Sequence, residues 1–364
     1  MEDSEQLIKL LSELIDIPDE VISNHIVDKL TVSNRKGLKR YHKNNMGKRQ
    51  IIEIEPGTDL SSLQLEGIRL YGADLSNINL KNANLSGAIL KYCDFSNSNL
   101  RNVNLQGANL FGCDLTNVDL RDSVLNESIF SDCDLEGVNL SGSDITDGMI
   151  KGCNMRNSIF RSAVCISSNL IETDFEGVDF TYTDMTNTNL RDSDMSGAIL
   201  EDSILIKSNL TDCLFSDTNM KSADLSYSYS DSSTTFNNVN LNGANLTGAN
   251  LEDVDLNGID LSYADLTRAN LANASLINAD LRASKLVNAN LDNASLINCR
   301  MNSTDLTRAY LHAANLTGAV IYYARFEYAY LNESDFTDSK YDHAFFNNAV
   351  MENIYGVDPE DLRK

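Results

Sequence analysis

The chain has 364 residues, no tryptophan, three prolines and a formal net charge of −24. No apolar run approaches the ~18 residues of a membrane span, and the opening MEDSEQL lacks the basic start and apolar core of a secretory signal. The sequence therefore predicts a cytoplasmic protein with no membrane association, export as an effector by another route remaining open. The four histidines fall in unrelated settings, and no Cys-x-x-Cys pair or glycine-rich phosphate loop is present, so the chain is read as a non-enzyme without metal or cofactor.

The first 56 residues differ in kind from the rest. SEQLIKLLSELI has apolar residues at 7, 8, 10, 11, 14 and 15, a helical spacing with Asp3 or Ser4 placed to cap it. A second helix is predicted from Pro18, with Val21, Ile22, Ile26, Val27 and Leu30 on one side. A basic segment follows, in which Arg35, Lys36, Lys39, Arg40, Lys43, Lys48 and Arg49 occur without an acid between them. Residues 1–56 are thus expected to form a helical amino-terminal cap or binding module. Any direct contact with nucleic acid is expected through residues 35–49 alone.

From Leu60 onward a period of five takes over. A large apolar residue, the centre, stands at every position divisible by five as far as Leu225, with Cys165 its weak member. Two places earlier sits a small or β-branched residue (Ala83, Ala88, Cys93, Ser98, Val103), and the residue between them is commonly Asn or Asp. Five is neither the 3.6 of a helix nor the 2.0 of a strand. It suits a chain that runs straight for three residues, small residue and centre pointing inward, and then turns a corner. Gly, Asn and Asp recur at the second corner place (Gly87, Asn97, Asn102, Gly107), the types that accept positive φ. Four such sides close a coil of twenty residues, and stacked coils pair as parallel ladders.

The period slips by one residue after Leu225 and resumes at Phe236, so an insertion, bulge or loop is predicted within 226–235. The predicted organisation is a first repeat run over 57–225, this shift, a second run over 236–352, and a carboxyl-terminal cap or tail over 353–364. At four centres per coil the two runs amount to about 14 to 15 coils, a rod of about 70 Å.

The registered copies ADLSN, ANLSG, CDFSN, SNLRN and ANLFG resemble the repeat of pentapeptide repeat proteins, whose pattern is A-(D/N)-L-x-x. The resemblance covers about four-fifths of the chain. It implies an all-β solenoid, a right-handed quadrilateral parallel β-helix, here carrying a small α-helical amino-terminal region. Members of that family include DNA-mimicking proteins that bind bacterial type II topoisomerases, and secreted effectors. The topoisomerase-binding members dimerise through their carboxyl ends.

Six cysteines (93, 113, 133, 153, 213, 299) occupy the small inward place, where Thr173 and Ser193 also serve, so the slot is read as one for packing. On the surface, residues 51–364 hold 45 acids against 20 bases. Asp94, Asp114, Asp134, Asp174 and Asp194, spaced by twenties, predict an acidic stripe, while Lys81, Arg101, Arg121, Arg161 and Lys221 predict a basic one. Near the carboxyl end Tyr310, Tyr330 and Val350 share a column with Phe345 close by, which marks a candidate homodimer interface. The resulting expectation is a protein-binding rod whose acidic stripe engages a type II topoisomerase, DNA gyrase or topoisomerase IV, as a DNA mimic. The alternative is a scaffold or effector whose residues 1–56 select a protein or nucleic-acid partner.

Overall fold

A computed structural model describes residues 57–358 and Leu362. The predicted helical pair and the basic segment lie outside the described residues, as do residues 359–361, 363 and 364 of the terminal tail. The chain divides into two compact units at Asp179 and Phe180.

Each unit is a stack of four-sided coils. In the first, four ladders repeat every twenty residues: Asp59↔Asn79↔Asn99, Gln64↔Asn84↔Asn104, Ile89↔Asn109↔Ile129 and Asp74↔Asp94↔Asp114, all parallel. The straight runs are so short that only two strands exceed a single bridge, β1 (Arg69–Tyr71) and β2 (Ile89–Lys91), which pair in parallel with Arg69 opposite Ile89. Two backbone bonds hold each rung. The centre donates along the stack, as Leu100 N to Asp119 O at 2.8 Å, and the residue it reaches donates back to the small residue two places before that centre, as Asp119 N to Ser98 O at 3.1 Å.

The corners explain the composition. At most of them the small residue donates back to the preceding centre, as Ala83 N to Leu80 O at 3.0 Å, and outside the phase shift the second corner residue takes positive φ, as Asn82 at 60°. An i→i+3 bond with positive φ only at the third residue is a type II turn. The Asn or Asp before the centre then closes the corner from outside. Its Oδ1 accepts the amide two residues on, as Ser96 N to Asp94 at 2.8 Å and Lys81 N to Asn79 at 3.2 Å. This is the local side-chain bond that makes these two residue types turn formers.

Inside, the centres are almost fully buried, and Phe95, Phe130, Phe160 and Phe175 fill the wider levels of the first unit. Burying one such side chain contributes roughly 1.5–3 kcal/mol. Hydroxyls and thiols in the small slot bond the centre carbonyl of the previous coil: Ser98 Oγ to Leu75 O at 2.8 Å, Thr173 Oγ1 to Ile150 O at 2.9 Å, Cys113 Sγ to Leu90 O at 2.7 Å. Serine, threonine and cysteine therefore all serve there, most of them burying the polar hydrogen with a carbonyl partner, Ser158 Oγ being an exception.

The phase shift lies within the second unit and is one residue wide. The ladder step of twenty becomes twenty-one at Leu214↔Thr235 and Asn219↔Asn240 and returns to twenty at Asn240↔Asp260. Ser230 occupies the centre position, and a three-residue corner, Asp231 to Ser233, replaces the usual two. The Asp231 carboxylate holds it, accepting from Ser233 N at 3.2 Å and Thr234 Oγ1 at 3.1 Å. It is the one corner between Ser62 and Asn353 without a positive-φ residue, since the extra residue relieves the tight turn.

Candidate protein-interaction surfaces

The outward slot before each centre is where the molecule is free to vary, and four features occupy it or its neighbours. The first is the acidic ladder of the first unit. Asp74, Asp94, Asp114 and Asp134 stand on successive rungs, followed by Asn154 and Asp174. Asp74 extends the predicted stripe by one rung, and its place was legible in the spacing of twenty. Asp194 belongs to the second unit, where its ladder continues to Leu214 and Thr235.

Every one of these carboxylates spends one oxygen on its own corner: Asp74 on Ser76 N, Asp94 on Ser96 N, Asp114 on Thr116 N, Asp134 on Glu136 N, Asp174 on Glu176 N and Asp194 on Ser196 N, at 2.8–3.2 Å. The other oxygen distinguishes them. Arg156 pairs with Oδ2 of Asp174 and with Glu176, whereas Asn154 Nδ2 donates at 3.1 Å to the same Asp134 Oδ1 that closes the corner. Among the described residues Asp74, Asp94, Asp114 and Asp134 make no ion pair.

The predicted basic column behaves differently. Arg101 pairs with Asp122 at 2.8 Å, Arg121 grips Asp119 through two nitrogens, Arg161 pairs with Asp179, and in the second unit Lys221 reaches Glu201 at 3.7 Å. The hydrogen bond from Arg121 holds the Asp119 carboxyl below its ordinary range. These four cations neutralise acids of their own corner and neighbouring wall, and among the described residues Lys81 makes no ion pair and the Asp74–Asp134 wall is left uncompensated.

The aromatic carboxyl-terminal surface lies on two adjoining ladders of the second unit. Tyr310, Tyr330 and Val350 follow one another on one, with the two rings stacked at 4.9 Å, while Phe345 follows Arg325 on the next. Their exposures of 46%, 43%, 37% and 45% leave a sizeable apolar area in contact with water. Leu362, beyond the last coil, is buried.

The cysteine column is the fourth feature. All seven thiols are free and buried, and burial pushes Cys213 and Cys299 up to about 12. Cys113 and Cys153 are also pushed up, first by the bond each makes to the neighbouring thiol of the column. Among the described residues no group of three or more His, Cys, Asp or Glu has the arrangement of a metal site.

The pentapeptide repeat model matches 8 copies over residues 78–117, 119–157, 158–197, 193–228, 232–262 and on to 299–338. The chain belongs to the pentapeptide repeat family. Members of this family form right-handed β-helices, the handedness expected here. Among solved structures the chain is similar to HetL of Nostoc sp. strain PCC 7120, a pentapeptide repeat protein involved in heterocyst differentiation regulation, at 24% identity, over 69% of this chain and 86% of that one, with a TM-score of 0.22. It is also similar to QnrB1, a plasmid-mediated fluoroquinolone resistance protein, at 21% identity over 54% and 90%, TM-score 0.31. A third is the pentapeptide repeat protein Rfr23 of Cyanothece 51142, at 26% identity over 30% and 89%, TM-score 0.18. No curated protein matches the chain. Among the described residues no helix is long and apolar enough to cross a membrane.

Proposed function

We propose that this pentapeptide repeat protein is a non-enzymatic binding protein of the cytoplasm, whose Asp74–Asp134 wall docks into the basic DNA-binding surface of a type II topoisomerase, DNA gyrase or topoisomerase IV. The single observation that carries the reading is the choice of Asp where Asn serves the fold equally well. Both residues close the corner through Oδ1, so the negative charge on these rungs is surplus to the architecture. Repeated at about 4.8 Å per coil and free of ion pairs, the carboxylates offer the regular line of anions that a basic groove recognises by releasing counterions. The exposed Tyr310, Tyr330, Phe345 and Val350 are assigned to pairing with a second chain.

The test is direct. Changing Asp94, Asp114 and Asp134 together to Asn keeps every corner bond and removes three charges. We expect binding to purified gyrase to weaken at least tenfold and its salt dependence to flatten, with circular dichroism unchanged. A wild-type protein that neither binds gyrase or topoisomerase IV nor alters supercoiling at micromolar concentration overturns the proposal.

A further inference from the structure

One corner of the second unit breaks the charge pattern. Its second-place residues run Lys207, Tyr227, Gly248, Arg268, Asn288, Arg308 and Tyr328. They are stacked in register by bonds such as Lys207 N to Ser226 O, Arg268 N to Val287 O and Arg308 N to Glu327 O, each at 2.9 Å. Lys207, Arg268 and Arg308 have φ of 60°, 61° and 59°, and they are the only Lys or Arg with positive φ among the described residues. That conformation disfavours a long side chain where Gly or Asn fits without strain.

The three cations also lack ion pairs among the described residues, whereas Arg191, Lys221, Arg282, Lys285, Arg300 and Arg325 of the same unit all have them. Lys340, the remaining cation without one, stands on another wall. Arg308 lies over the Tyr328 ring at 5.7 Å, and the Tyr227 ring covers Gly248 so closely that an added Cβ would come within 2.7 Å of it. Of the two walls that border this corner, the ladder Asn189, Asn209, Tyr229, Asn250, Asn270, Asn290, Tyr310, Tyr330 and Val350 contains no carboxylate, while the other carries Asp224, Asp265 and Asp305, of which Asp265 and Asp305 are paired with Lys285 and Arg325 of their own wall. Among the described residues of the second unit this edge gathers positive charge without ion pairs, at a slot where the backbone disfavours it.

We propose that this cationic edge is a docking surface for the acidic wall of a second copy of the same protein. The argument is charge complementarity combined with a common repeat. Lys207, Arg268 and Arg308 stand on rungs separated by three coils and then two. A partner built on the same coil spacing meets all three at once. The acidic wall does so through Asp174, Asp114 and Asp74, where Asp114 and Asp74, without ion pairs among the described residues, meet Arg268 and Arg308, and only Asp174, already paired with Arg156, meets Lys207. This contact is distinct from the aromatic carboxyl-terminal surface, and it shares the wall assigned above to a topoisomerase, so self-association and topoisomerase binding compete.

Sedimentation of the full-length protein tests it. We expect concentration-dependent association that weakens roughly tenfold as screening shortens between about 50 and 300 mM salt. An Arg268→Glu, Arg308→Glu variant should lose that salt-sensitive step, and so should Asp74→Lys, Asp114→Lys, the two rungs that face Arg308 and Arg268. Mixing the two variants should restore it, because both reversed charges again meet. Asp74→Asn, Asp114→Asn, which keeps the corner bonds, guards against misfolding of the lysine variant and should weaken association in the same direction. Association indifferent to Arg268→Glu, Arg308→Glu, or a mixture that fails to restore it, overturns the inference. So does loss of binding to a single-stranded oligonucleotide in that variant without any self-association to lose. Gyrase binding should survive Arg268→Glu, Arg308→Glu and fall in the Asp→Asn variant, so a protein that self-associates yet ignores gyrase overturns only the topoisomerase reading.

Discussion

Two walls use the same backbone slot in opposite ways. In the first unit the slot carries Asp74, Asp94, Asp114 and Asp134, and in the second it carries Asn250, Asn270 and Asn290. Both close their corners alike, Asp114 accepting from Thr116 N at 2.9 Å and Asn290 from Asp292 N at 3.1 Å. The amides do something further. Asn270 Nδ2 donates to Asn250 Oδ1, and Asn290 Nδ2 to Asn270 Oδ1, each at 3.0 Å, so the column is a continuous hydrogen-bonded ladder. Ionised carboxylates have no hydrogen to pass along and instead repel, by about 1 kcal/mol per adjacent pair at ~4.8 Å in water. The amide wall therefore stabilises its unit while the acidic wall weakens its own.

The largest effect that bears on this contrast comes from the coil itself. Deleting residues 101–120 removes one rung, Asp114, and rejoins two coils in register, so a folded β-rich protein with a shorter acidic wall is expected by circular dichroism and size. Deleting only two residues in that stretch turns inward side chains outward, and the protein should be recovered unfolded or aggregated. Equal tolerance of both deletions would remove the basis for speaking of walls at all.

Exchange between the walls is next in size. Asp94→Asn, Asp114→Asn and Asp134→Asn together should raise the free energy of unfolding by about 2 kcal/mol, from relieved repulsion and new amide bonds of roughly 0.5–1 kcal/mol each. Asn270→Asp should lower it by about 1 kcal/mol, because it loses donors to Asn250 and Glu252 and places a carboxylate beside Glu252. Denaturant titration reads both. If the two substitutions shift stability in the same direction, the contrast between the walls fails.

The smallest effect comes from inside, where both units use the same slot for cysteine. The folded-state values of Cys213 and Cys299, about 12, lie above the ordinary thiol value of 9.0, so the unfolded chain ionises first as pH rises. Their contribution is complete below about pH 9 and is lost progressively towards pH 12. Stability should decline over that window in the wild type and decline less in a Cys213→Ser, Cys299→Ser variant. Alkylation at pH 8 should be slow until the protein unfolds.

Most of the architecture was legible in the residues themselves. A period of five admits few solutions, and Leu80, Leu85, Leu90 and Phe95 with the small residues before them specify which side chains are buried on every side of a coil. Even the width of the phase shift could be read, from Leu225 and Phe236. Its form could not, because whether one extra residue opens a loop or widens a corner depends on Asp231 finding Ser233 and Thr234. The acidic wall was half legible. Spacing alone puts Asp94, Asp114, Asp134 and Asp174 in sequence, but it cannot say that Arg156 reaches Asp174 while no cation among the described residues reaches Asp94 or Asp114.

Sequence by itself thus determined the coil, the inward residues and the ladder on which each outward residue stands, since all three follow from local periodicity repeated without interruption. Tertiary structure alone decided which charges remain unspent. Ion pairs such as Arg101–Asp122 and Arg161–Asp179 join residues of neighbouring coils, about twenty positions apart in the chain. Whether a long side chain reaches its neighbour or faces water, as Lys207, Arg268 and Arg308 do, is set by packing across the stack, on which the repeat is silent.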